Sequence, residues 1–299
     1  MIVSSYITKK ESAFNENIKV RMFGGLGNQL FQYFAAKLVS LKLGAPLLID
    51  FSWLPKYNIH ENSDIRDFKF IQQELIVESR HSDNFVIERV KNHAVKQFKA
   101  LGTVLKIDIP NTTGYTNLGH IKKGMEMRGY YQSYRYFEEF CKIQTVNDWN
   151  LQNKSIDYQK FEKTLLSQDF ISMHIRGGDY LNPNSPYVSL DEDYYMSALS
   201  EIKKHTGNIK TYVFTNDVSY GRNFLKLGKN LEILPTHNFR ASENVKFMSL
   251  GKGLILSNST FAYWAGVISG ISNIAAPKKW FRIMDIDDDM YPTNWNTIN

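Results

Sequence analysis

The sequence predicts an α/β fold in two parts, and three observations carry that prediction. Residues 18–50 read as strand, glycine turn, helix and strand. Residues 170–261 alternate short apolar runs with helical stretches, the pattern of a doubly wound sheet. The chain has 299 residues, enough for two domains at roughly 100–200 residues each. The polar stretch 145–160 supplies the boundary, so residues 1–160 form one α/β domain. Residues 161–299 form a second that closes in a C-terminal tail.

The first element is Ile18 to Phe23, which alternates like a strand after a polar, fraying segment over residues 1–17. Gly24-Gly25-Leu26-Gly27-Asn28-Gln29 follows as a tight turn. From Leu30 to Leu43 the apolar residues Leu30, Phe31, Phe34, Ala35, Leu38 and Leu41 recur at helical spacing. Leu47 to Asp50 is a second, parallel strand. Residues 60–125 mix charges with short apolar runs and predict helices and loops. Gly129 to Ser133 follows a strand, and a helix begins near Tyr136.

The second half reads more sharply. Phe170 to Ile175 is a strand that ends in Arg176-Gly177-Gly178-Asp179-Tyr180. A loop with Pro183 and Pro186 leads to a helix over about Asp191–Lys204. Thr211 to Phe214 is a strand ending in Thr215-Asn216-Asp217, and Leu231 to Leu234 is another. Asn244 to Leu250 predicts a short helix. Gly253 to Leu256 is a strand ending in Ser257-Asn258-Ser259-Thr260, and a helix starts near Phe261. In doubly wound sheets ligands bind at the carboxyl ends of strands, where the polar clusters fall.

Composition narrows the function classes. Aromatic residues make up 14% of the chain, which argues for packed cores and against disorder. The net charge of +6 favours anionic partners without choosing among them. The basic stretch Lys203, Lys204, His205 and Lys210 reads as a solvated helix end. No basic stripe interleaves with stacking aromatics, so nucleic acid is not an expected partner. Cys141 is the single cysteine, which excludes an internal disulfide and a cysteine metal site and fits a reducing compartment. The N-terminus lacks a signal-peptide pattern. No apolar run reaches the roughly 18–20 residues of a membrane span. A cytoplasmic protein that meets any surface-glycan substrate from the inner face of the membrane is the expectation.

Three clusters could carry chemistry. Gly24 to Gln29 lets backbone approach a ligand ahead of a helix N-terminus, although its spacing is not the dinucleotide fingerprint. His174 and Arg176 share one strand face, and an arginine leaving a strand end holds phosphate bidentately. A salt-bridged turn and a structural histidine are the plainer readings. Ser257 to Thr260 caps a helix, and the same hydroxyls and N–H groups suit phosphate. Asp217 suits ribose hydroxyls or simply forms a turn. Asp191-Glu192-Asp193 opens a helix, and Asp285 to Asp289 lies in the solvated tail. Neither is expected to hold metal.

Together these segments resemble the α-1,2-fucosyltransferase family, glycosyltransferase family 11. The segments are GGLGNQLFQYFAAKLV, GYYQSYRYF, HIRGGDY, VFTND and SNSTFAYWAG, and they stand in the family's order over about residues 20–270. The resemblance implies a GT-B architecture, two Rossmann-like α/β domains facing across a cleft, with the acceptor on the N-terminal domain and the donor on the C-terminal one. It implies GDP-fucose as donor, inversion at the sugar carbon and no required metal or other cofactor. It assigns the diphosphate to Arg176, nucleotide contacts to His174 and Asn244, the ribose side to Asp217, and phosphate oxygens to Ser259 and Thr260. Gly25 and Asn28 would line the cleft from the other domain. Asp179 is the nearest carboxylate in a motif, either as acceptor base or as an orienter of Arg176. The acceptor would be a galactose-type hydroxyl of a surface-glycan or O-antigen precursor, lipid-linked or free, with peripheral membrane contact. Two positions depart from the family. Gly177 stands where a second arginine is usual. Asn244 stands where an aspartate is frequent, with Glu243 a neighbouring substitute. Transfer of another nucleotide-activated sugar is the alternative on this scaffold. A non-catalytic glycan- or nucleotide-binding relative is a second.

Overall fold

A computed structural model describes residues 16–54, 65–77, 85–97, 99–110, 113–146, 148–284 and 289–299. The frayed segment expected at the N-terminus and most of the acidic run 285–289 lie outside these residues. The chain divides into two compact units. One holds most of the first half. The other holds Trp149–Asn299 together with the described residues of Asn62–Lys69.

The first unit is built on a sheet in which all neighbours are parallel, in the order β3-β2-β1-β5-β4. Its strands are β1 (Ile18–Arg21), β2 (Leu47–Asp50), β3 (Leu75–Val77), β4 (Ile107–Asp108) and β5 (Glu126–Met127). Helix α1 (Leu26–Leu43) connects β1 to β2. It is buried along most of its length, and Gly44 ends it in a left-handed conformation at φ 56°, which a side chain would strain. β2 is buried at all four residues, as parallel strands covered on both faces are. Helices α2 (Phe85–Gln97), α3 (Lys99–Leu105) and α4 (Tyr134–Ile143) also belong to this unit. β3 and β4 fall in the stretch where only helices and loops are expected. They are three and two residues long and form the sheet edges. Leu75 and Ile76 of β3 are exposed. Strands of two or three residues leave no alternation to read.

The second unit starts with α5 (Ile156–Leu166), capped by Ser155. Its sheet also pairs in parallel throughout, in the order β11-β10-β9-β6-β7-β8. The strands are β6 (Phe170–Ile175), β7 (Lys210–Thr215), β8 (Leu231–Ile233), β9 (Gly253–Ile255), β10 (Ile274–Pro277) and β11 (Asn296–Ile298). Counted within the unit this is the 3-2-1-4-5-6 arrangement of dinucleotide-binding sheets, whose direction of growth reverses between β6 and β9. Helices α6 (Glu192–Thr206), α7 (Val218–Arg222), α8 (Ala241–Met248) and α9 (Thr260–Ser269) lie between the strands. Asp191 caps α6 by accepting from the Tyr194 N–H at 3.0 Å, so the acidic triplet there opens a helix as expected.

Every residue of β6 is buried. Ile171, Met173 and Ile175 pack with Tyr194, Tyr195, Ala198 and Ile202 of α6. The C-terminal segment is not only a tail, because β11 pairs with β10 from Ala275↔Asn296 to Pro277↔Ile298. Its sequence is polar and hides the strand. No helix among the described residues is long and apolar enough to cross a membrane.

The close approach of α6 to β9 depends on Gly253. A Cβ there would lie 2.4 Å from Ile202 Cγ2 and 2.9 Å from Asn273 Nδ2. Gly253→Ala should therefore destabilise the protein by roughly 1–3 kcal/mol, the usual cost of overpacking. The expected observation is a lower urea midpoint with an unchanged slope. An unchanged midpoint would show that α6 yields without cost.

Candidate functional site

The crevice between β6 and β9 gathers two of the three predicted clusters, and Asp217 lies on the turn after the neighbouring strand β7. His174 is the fifth residue of β6, and its Nδ1 lies 2.7 Å from Ser257 Oγ, just beyond β9. The ring is 4% exposed and packs against Phe261 at the start of α9. Burial, helped by the positive charge of Arg176, pushes its pKa down to about 3. The imidazole is therefore neutral at physiological pH, so it offers a hydrogen-bonding ring and no charge.

Arg176 follows the strand and carries the charge. Its Nη2 pairs with Asp179 Oδ1 at 2.6 Å, and its guanidinium carbon lies 5.0 Å from the Tyr180 ring centre. Tyr180 in turn stacks on Tyr187 at 4.3 Å and donates to the Asn258 carbonyl at 3.1 Å. The loop after β6 is thus fastened to the loop before α9. Asp179 is half exposed. Its observed contact is with Arg176.

The loop between them is shaped by two glycines. Gly178 sits at φ 63°, in the left-handed region that glycine tolerates. Gly177 donates to Asn216 Oδ1 at 2.9 Å, and a Cβ on it would meet Asp217 Cβ at 2.8 Å and Tyr220 Cδ1 at 3.0 Å. The space that a second arginine would need is filled by the β7–α7 turn. Asn216 was not singled out from the sequence as a holder of this loop. Its partner is 39 residues away, and only the β6–β7 register, with Ile175 opposite Thr215, brings them together.

Asp217 caps α7, accepting from the Tyr220 N–H at 2.9 Å. Ser259 caps α9 through the Phe261 N–H at 3.3 Å, and Thr260 is the first helical residue. Asn258 is buried and donates to the carbonyls of Val188 and Trp280 at 2.8 and 3.0 Å, which fixes the entry to α9. Asn244, on α8, donates to the Thr236 and Phe239 carbonyls, both at 3.1 Å, while its own Oδ1 is buried without a partner. Glu243 accepts from the Arg240 N–H at 2.9 Å and is 3% exposed. It is committed to the start of α8.

In the first unit, Gly25 is the extended N-cap of α1 and Gly24 has φ 75°. Asn28 Oδ1 accepts from Gln132 Nε2 at 2.9 Å, so the first and second motifs meet. Gln32 holds both the N–H and the C=O of Phe23 at 3.2 Å. Sequence reading missed a charged cluster at the carboxyl edge of this sheet. Arg21 ends β1, Asp50 ends β2 and Arg128 follows β5. Glu126 bonds both arginines at 2.6 Å, and Lys19 reaches Asp50 at 2.8 Å. Alternate charged residues in IKVR were the only signal available.

Comparison with known proteins identifies the family and the fold type. The model of the family described as Glycosyl transferase family 11 matches residues 16–299. The chain belongs to that family. An α-1,2-colitosyltransferase of Escherichia coli is 25% identical over 303 residues, covering 94% of this chain and 98% of the relative. The O-antigen biosynthesis glycosyltransferase WbnK of Escherichia coli is 26% identical over 282 residues, covering 86% and 93%. Among solved structures, fucosyltransferase NodZ from Bradyrhizobium aligns with a TM-score of 0.50 at 11% identity, over 84% of this chain and 93% of that one. That likeness concerns the fold, an α/β chain with two parallel sheets of the GT-B type.

The neutral state of His174 has a measurable consequence. Its pKa is about 3 in the folded protein against 6.5 for the free side chain. Between those values the unfolded chain holds a proton that the folded chain does not. Stability from this group is therefore present above about pH 6.5 and declines as pH falls toward 3. His174→Asn, which retains a polar atom near Ser257, should lose less stability than wild type between pH 7 and pH 5. Denaturant titrations at both pH values check it. Equal slopes in the two proteins would contradict the neutral assignment.

Proposed function

We propose that this glycosyltransferase moves fucose from GDP-fucose, with inversion, onto a galactose-type hydroxyl of a surface-glycan or O-antigen precursor in α-1,2 linkage. One observation carries the donor half of this reading. Arg176 leaves β6 at the point where the sheet order reverses, and its loop is bonded to the loop that opens α9. An arginine and a helix N-terminus at a strand-order switch are what a nucleoside diphosphate requires. The α-1,2 linkage and the O-antigen setting are supported by the names of the two Escherichia coli relatives. A lipid-linked acceptor would be met by peripheral contact at the inner membrane face.

In this mechanism the leaving diphosphate gathers charge as the bond to the sugar carbon lengthens. Arg176 and the N–H groups at Thr260 and beyond stabilise that charge with donors already in position. His174, neutral and fixed by Ser257, contributes a hydrogen bond to the nucleotide. Asp217 faces the ribose with the carboxylate oxygen that does not cap α7. The sugar passes through an oxocarbenium-like state, by analogy with glycoside hydrolysis. The acceptor hydroxyl oxygen bonds to the sugar carbon from the opposite face, GDP departs, and the hydroxyl proton passes to solvent. Asp179 orients the guanidinium. No divalent cation is required in this scheme.

A second reading, transfer of a different activated sugar, has its own support. One relative, aligned over 94% of this chain, is a colitosyltransferase. Asn244 also leaves the α8 region without the carboxylate frequent in the family, and its amide is engaged by two backbone carbonyls.

The test is a thermal-shift series with GDP, UDP, CDP and GDP-fucose in EDTA. Selective stabilisation by GDP and GDP-fucose is expected. Stabilisation by UDP or CDP alone would remove the fucose donor. In turnover, Arg176→Ala should lose about two decades or more, the scale of one lost transition-state donor. Arg176→Lys should recover only part, because lysine lacks the planar fork. Near-normal turnover in Arg176→Ala would remove the assigned role.

A further inference from the structure

The carboxyl edge of the first sheet carries three aromatic rings that the donor site does not use. Each follows a different strand. Phe23 lies two residues beyond β1, Trp53 three beyond β2 and Tyr130 three beyond β5. Those strands are neighbours in the order β2-β1-β5. Sequence order reverses direction between β1 and β5, so the rings surround this sheet's own switch point, where open α/β sheets take their ligands. Phe23 meets Tyr130 edge-on at 5.0 Å and 71°, and Trp53 at 6.4 Å. Trp53 is buried between guanidiniums, with Arg21 at 4.6 Å and Arg128 at 5.4 Å. Tyr130 is 40% exposed.

The backbone beneath Tyr130 is strained to achieve this. Tyr131 has φ 52°, a left-handed conformation that is unfavourable for a bulky residue. It is held there by full burial, a 2.9 Å hydrogen bond from its hydroxyl to Asp108 Oδ2 and an edge contact with Tyr136. Gly129 is needed before it, because a Cβ would lie 2.5 Å from Pro110 Cγ. Two successive tyrosines thus take opposite fates. One is an anchor at 0% exposure, and the other is left as a partly exposed ring over Phe23. Residues held in such conformations cluster at functional turns, and a part-exposed aromatic ring above buried charge suits a ligand with one apolar face and hydroxyls around it.

We propose that the Phe23–Tyr130 ledge, backed by Trp53, is the acceptor-sugar platform, on which a galactose-type pyranose lays its C–H face. This rests on the transferase reading above and adds the acceptor's subsite to it. The donor reading is carried by Arg176 and the start of α9 in the second unit, so the two assignments are tested separately.

The experiment uses the full chain, saturated with GDP, and methyl β-galactopyranoside as the probe. Saturation-transfer NMR is expected to show the strongest transfer to H3, H4 and H5 of the probe. Tyr130→Ala should reduce that transfer at least fivefold, whereas Tyr130→Phe should keep it, because the ring and not the hydroxyl is the contact. GDP-induced thermal stabilisation should be equal in wild type and both variants, which shows that Tyr130→Ala is folded and that the donor reading stands independently. The proposal is overturned if the wild type shows no transfer from the probe, or if Tyr130→Ala leaves the transfer unchanged. A missing GDP shift in the wild type would sink the donor reading instead.

Discussion

The pairing of β6 on both sides is the constraint from which the candidate site follows. It runs beside β7 for six residues, from Phe170↔Lys210 to Ile175↔Thr215, and beside β9 from Ile171↔Gly253 to Met173↔Ile255. A parallel strand fixed in two registers delivers its last residues to one place. His174 then faces Ser257, Gly177 faces Asn216, and Arg176 emerges between two turns that belong to other strands. Ser172 adds a lock from below, donating to the Met248 carbonyl at 2.7 Å. Shifting this strand by one residue would reverse every side chain in it, taking His174 away from Ser257.

The two departures from the family pattern have local physical reasons. An arginine at position 177 would have to displace the Asp217 and Tyr220 side chains, which close the β7–α7 turn. Glycine lets that turn approach. An aspartate at position 244 would set a carboxylate against the Thr236 and Phe239 carbonyls, where the asparagine amide donates to both. Each departure therefore improves the packing or bonding of the loop it faces. Under the proposed donor reading, the site has one arginine on this loop, and more of the diphosphate charge would fall to backbone N–H groups.

Most central strands were legible because they are apolar and bounded by turn residues, whereas β10, with Ile274, Ala275 and Ala276 ahead of Pro277, was not read. FISMHI and TYVF announce themselves, and the helix after GGLGNQ carries clear helical spacing. The edge strands β3, β4 and β11 were not legible, since two or three residues taken from polar or exposed stretches hold no period. At the candidate site the ordered motifs pointed to strand ends that the fold brings together around β6. They could not separate a cap from a ligand contact. Asp217 and Ser259 are caps in the fold, and Asn258 is a brace between Val188 and Trp280. Asn216, Tyr180 and the Arg21–Asp50–Glu126–Arg128 cluster went unseen, because their roles come from partners far along the chain. The strain at Tyr131 is invisible in GYYQS for the same reason.

The most direct test of the central claim, that the β6–β9 crevice binds a nucleoside diphosphate, is a crystal structure of the full chain grown with GDP. The account predicts phosphate oxygens within hydrogen-bond distance, about 2.7–3.2 Å, of the Arg176 guanidinium and of backbone N–H groups at the start of α9. GDP bound elsewhere would contradict it. One such place is the cavity of about 330 Å³ in the first unit, lined by Lys37, Gly44 and Glu74.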